Sequence, residues 1–76
     1  MITSGQLRSA RALLKITAAQ LASISKIGIS TIKRFELADG VPAGNIKTIE
    51  ALKKALEVAG IEFIGAPDDR PGVRLK

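Results

Sequence analysis

Thr-x-x-Gln occurs twice near the start of this chain, as Thr3-Ser4-Gly5-Gln6 and as Thr17-Ala18-Ala19-Gln20. At that spacing the threonine hydroxyl accepts from the backbone N–H three residues on, and the glutamine reaches back to the threonine N–H. Each copy therefore marks a helix start. Leu7, Ala10 and Leu14 recur at helical spacing after the first box, with Leu13 alongside, which predicts a helix over 4–14. After the second box, Ala18, Leu21 and Ala22 share one side of a short helix ending near Ile24. Helices this short are marginal alone and must pack on one another.

The rest of the chain supplies partners. Gly28 is an acceptable N-cap for a third helix over 28–36, whose Ile32 and Phe35 face inward, joined by Ile27 from the turn. Residues 38–44 read as a loop by their Gly and Pro content. Asn45 or Thr48 then caps a fourth helix with Ile46, Ile49, Leu52, Leu56 and Ala59 as its apolar stripe, and Gly60 ends it. Residues 61–64 and 73–75 alternate as strands of a C-terminal hairpin, around a loop over 65–72 that holds two prolines and two aspartates. Residues 1–60 thus form a helical domain and 61–76 a β-hairpin or tail. With strands of three or four residues, Phe63, Val73 and Leu75 need cover. The apolar stripe of the fourth helix is one candidate, and the strand edge of a second subunit is the other. On the second option, deleting 61–76 should leave the helices folded and abolish cooperative binding to a two-fold symmetric site.

Length and composition exclude several classes. Seventy-six residues make one domain at most, and such a domain buries only roughly 60% of its unfolded surface. There is no cysteine, hence no disulfide or thiolate site, and no histidine, the commonest general base and zinc ligand. No apolar run approaches the roughly 20 residues of a membrane span, and no signal-peptide pattern opens the chain, so a cytoplasmic protein off the membrane is expected. No spacing pairs a nucleophile with a base, so neither an enzyme nor a cofactor or metal site is expected.

Charge is distributed unevenly. Residues 1–35 hold six basic side chains and no acid, a balance of +6, whereas residues 36–76 hold six basic and seven acidic ones, a balance of −1. A one-sided basic field is the footprint of a polyanion binder. Phe35 and Phe63 are the only aromatics and both look buried, so the stacking platforms of RNA and single-strand binders are missing.

Residues 17–36 combine a capped short helix, a tight turn and a second helix with basic outward residues. Through Thr17, Leu21, Ala22, Ile27, Thr31, Ile32, Arg34 and Glu36 this unit resembles the helix-turn-helix of the Cro and phage-repressor class, the XRE family, over about residues 5–59. The resemblance implies a four- or five-helix lambda-repressor-like bundle, here with a short C-terminal β-hairpin. It also implies a homodimer that binds double-stranded DNA as a small transcriptional regulator. Helix 28–36 would enter the major groove, which is about 12 Å wide and admits one helix. The expected DNA contacts are Thr17, Lys26, Gly28, Ile29, Ser30, Thr31, Lys33, Arg34 and Lys47. Arg34 is the base reader and Lys33 a phosphate contact, while Arg8 and Lys15 are solvated or weakly electrostatic. Arg11 of the first helix would pair structurally with Glu36. Three positions depart from the family pattern. Lys26 stands where glycine is usual, Gly28 where Ser or Thr is frequent, and Ala18 where a phosphate-binding Gln is frequent, a contact that Lys26 or Lys47 would replace. The alternative is a protein-interaction module on the same fold, an antitoxin or assembly partner.

Overall fold

A computed structural model describes every residue except Asp39, Pro42, Ala43 and Asn45. Its described residues form four helices followed by a hairpin: α1 Ser4–Leu14, α2 Ala18–Ser25, α3 Ile29–Leu37, α4 Ile46–Val58, β1 Ile61–Ala66 and β2 Asp69–Leu75. The fold is mainly α with a short C-terminal β-hairpin, and no helix among the described residues is long and apolar enough to cross a membrane.

Both capping boxes are formed. Thr3 Oγ1 accepts from Gln6 N while Thr3 N donates to Gln6 Oε1, and Thr17 and Gln20 repeat the exchange. Both helices end on a left-handed lysine, Lys15 at φ 56° and Lys26 at φ 61°. Of the two expected caps of α4, Asn45 lies outside the described residues and Thr48 is the third residue of the helix, not its cap.

The core is one cluster. Leu7 and Ala10 of α1, Leu21 of α2, Ile32 and Phe35 of α3, and Ile49, Leu52 and Leu56 of α4 are all buried, with Ile2 and Ile61 closing its ends. Fully burying an aliphatic side chain of this kind is worth about 1.5–3 kcal/mol. Two stripe positions depart from the expected pattern: Ile46 is 59% exposed and Ala59 is exposed. Ile46 is the first residue of α4 and Ala59 lies one residue past its end.

The hairpin belongs to the same core. Ile61 is fully buried, and Phe63 and Val73 pack against the cluster. Gln6 ties both strands to α1, because its Nε2 donates to Ile64 O at 3.3 Å and Gly72 O at 2.9 Å. The chain's own core therefore covers Phe63 and Val73 in part, whereas Leu75 stays 52% exposed.

The strands are also longer than expected, because most of the presumed loop 65–72 is paired. Ile61 faces Leu75, Phe63 faces Val73 and Ala66 faces Asp69, with a register shift between Ile64 and Ala66. The shift is a bulge, with Gly65 at φ 76° and Arg70 at φ 50°. Glycine is required at 65, since a Cβ there would lie 2.4 Å from the Arg70 carbonyl oxygen. Pro71 sits exposed in this two-stranded sheet, where an edge strand tolerates its missing N–H.

Candidate nucleic-acid interface

The turn before α3 is built by backbone geometry and one serine. Lys26 N donates to Ala22 O at 2.9 Å to close α2. Ser25 Oγ donates to Leu21 O at 2.7 Å and accepts from Ile27 N at 3.3 Å. Lys26 adopts the left-handed conformation that glycine takes freely, at a cost of about 1 kcal/mol. It emerges exposed at the corner between the two helices.

Beyond the turn, α3 divides by helical period into two faces. Ile32, Phe35 and Glu36 are buried, whereas Ile29, Ser30, Lys33, Arg34 and Leu37 are exposed and Thr31 is intermediate. The exposed positions follow i, i+1, i+4, i+5, i+8, a single continuous stripe. At its leading end Gly28 is the N-cap and no side chain caps the helix, nor does an acid occupy the first turn. Gly28 has an ordinary φ of −58° and open space around it, so neither backbone nor sterics demands glycine there. The missing side chain leaves the first-turn amides facing outward, at the end of the helix that favours anions.

The acid of α3 is withdrawn from this surface. Glu36 is 8% exposed. Arg11 clamps it with two hydrogen bonds, Nε to Oε2 at 2.8 Å and Nη2 to Oε1 at 2.9 Å, and Arg11 Nη1 also donates to Ile16 O at 3.2 Å. Hydrogen bonding to Glu36 raises the guanidinium pKa, outweighing burial, which lowers it. The outward charges of α3 are those of Lys33 and Arg34.

Arg8, read from the sequence as solvated, is exposed and also donates to the Glu36 carbonyl at the end of α3. Its signal was available in part, since Arg8 and Arg11 stand three apart on one face of α1. The target, 28 residues away, was not.

Of the remaining expected contacts, Thr17 is exposed at the start of α2, where its oxygen accepts from Gln20 N. Lys47 is exposed on the first turn of α4. Arg34 carries its guanidinium carbon 5.5 Å from the Phe35 ring centroid, a cation–π contact that steadies an otherwise exposed side chain. Lys26, Gly28, Ile29, Ser30, Thr31, Lys33 and Arg34 are therefore presented together by one turn and one helix, with Thr17 and Lys47 on neighbouring elements.

No family model matches the chain, and neither does any curated protein.

Proposed function

We propose that the protein binds double-stranded DNA in a sequence-specific manner, as a small transcriptional regulator whose α3 enters the major groove. One observation carries this reading: α3 exposes a continuous stripe in which Ser30, Lys33 and Arg34 stand between Ile29 and Leu37, while its acid is buried against Arg11. An uncapped helix N-terminus, Ile29 for a thymine methyl, and Arg34 for a guanine edge are the groups a major-groove reader needs. Lys33 and Lys26 would neutralise phosphates beside it, with Thr17 and Lys47 as further backbone contacts.

Selecting bound duplexes from a random pool and sequencing them tests the proposal. Enrichment of one short motif is the expected outcome, and a pool that stays random overturns sequence-specific binding. With three to five phosphates engaged per subunit, log affinity falls against log salt with a slope of roughly −3 to −5.

A second reading is a protein-interaction module of the antitoxin or assembly-partner kind. It draws on large apolar side chains left outside the core, chiefly Leu37 at 87% exposure and Val58 at 81%. A flat salt response would favour it.

A further inference from the structure

Arg34 and Phe35 are chain neighbours on different sides of α3. Arg34 belongs to the exposed stripe, whereas Phe35 is 2% exposed and part of the core. The arginine nevertheless carries its guanidinium carbon over the Phe35 ring, 5.5 Å from the centroid. A guanidinium is flat, and its face and its edge do different work. The face stacks on an aromatic ring, while the N–H groups lie in the plane and donate along the edge. A stacked guanidinium therefore keeps its donor fork free for a second partner.

The ring is the dominant restraint on this side chain. Glu36 is the acid of α3, and Arg11 occupies both of its carboxylate oxygens. Among the described residues the Arg34 side chain makes no hydrogen bond and no ion pair. The ring itself is fixed. It is packed in the core cluster, and its Cε1–Cζ edge lies against Gly44 of the loop after α3, so close that a Cβ on Gly44 would stand 3.3 Å from both atoms. A buried ring of this kind is a rigid platform for a long side chain that otherwise samples many rotamers. An arginine already stacked gives up less of that freedom when it meets a ligand.

We infer that Phe35 is a positioning residue for base reading: its ring holds the Arg34 guanidinium in place before DNA arrives, so that the preference at one base pair is set from inside the core. The inference rests on the major-groove reading of α3 and adds to it a residue too buried to touch DNA.

Binding titrations on the selected duplex, and on the same duplex altered at the base pair that Arg34→Ala identifies, test it. Phe35→Leu and Phe35→Met keep an apolar side chain in the core and remove the ring, with circular dichroism to confirm that each folds. Each should lower the preference for that base pair by roughly two- to fivefold, the equivalent of an exposed cation–π contact. The loss should vanish when Arg34 is already alanine. The salt slope should stay unchanged, because the phosphate contacts remain. Variants that weaken all duplexes alike, or that lose as much without Arg34 as with it, would show that Phe35 acts only through the fold and would overturn the proposal. The stack is also open to measurement in the wild-type protein without DNA. Nuclear magnetic resonance should show cross-relaxation between the Arg34 Cδ protons and the Phe35 ring protons, and its absence would overturn the proposal even if both variants fail to fold. A duplex pool that stays random overturns the DNA reading and the positioning role with it. A selected motif whose preference ignores the ring overturns the positioning role alone.

Discussion

Glu36→Gln keeps the shape of the side chain and removes its charge, leaving Arg11 largely enclosed, with 28% of its side chain exposed, and without its counter-charge. The expected cost is about 3 kcal/mol, at the low end for breaking a buried pair because Arg11 retains some solvent and its bond to Ile16 O. For a domain of this size that lowers Tm by more than about 10 °C. A thermal melt checks it, and an unchanged Tm would mean that the pair contributes nothing to the fold. On the outer face of α3 the expectation differs. Arg34→Ala should relax the preference at one base position and cost about 1–3 kcal/mol on the selected site, whereas Lys33→Ala should weaken all duplexes alike. Binding titrations on selected and random duplexes separate the two. An equal loss from Arg34→Ala on both would remove its role as a reader.

The elements are held by short-range geometry that tolerates few changes. Gly65→Ala places a methyl against the Arg70 carbonyl and forces a non-glycine residue to φ 76°, so the bulge must open. A loss of about 1–3 kcal/mol is expected, read as faster amide exchange across both strands. Lys26→Gly works in the other direction. It relieves a left-handed lysine and should stabilise the domain by up to about 1 kcal/mol in a denaturant titration, less the entropy glycine adds to the unfolded chain. If Lys26 also neutralises a phosphate, the same variant binds duplex more weakly while melting higher, a divergence that a purely structural lysine would not produce. On the hairpin's outer face, hydrogen bonding to Arg74 holds the Glu62 carboxyl below the usual glutamate range. That contribution is present above the unfolded glutamate pKa and is lost as the pH falls through the lower folded one. Both groups are exposed, so salt screens it.

At the scale of the molecule, helices and hairpin share one core, and cutting between them exposes its floor. Removing residues 61–76 takes away Ile61, Phe63 and Val73 and leaves the Gln6 amide without its two carbonyl acceptors. Loss of the buried isoleucine alone is worth about 2–5 kcal/mol when cut to alanine, comparable to the whole stability of a small domain. The truncated chain should therefore lose its cooperative melt. A truncated chain with native helical circular dichroism and a sharp transition would show that the hairpin is accessory.

The local code was legible from the residues alone. Two capping boxes, an apolar period and a Gly60 stop place the helices to within a residue or two, because capping and amphipathicity act over three to seven positions. The charge imbalance and the two-faced pattern of α3 were equally visible. What lay beyond sequence reasoning depends on contacts across long separations. Arg8 on the Glu36 carbonyl, Gln6 on two strands some 60 residues away, and the burial of Ile2 and Ile61 have no local signature. The bulge that turns an apparent loop into paired strand was hidden too, since prolines and aspartates read as loop until Gly65 and Arg70 take their positive φ values. Propensity and pattern decided which segments are helical. Only the closing of one small core decided that Ile61, Phe63 and Val73 of the last sixteen residues pack with the helices, because a domain this size must gather its apolar side chains from the whole chain.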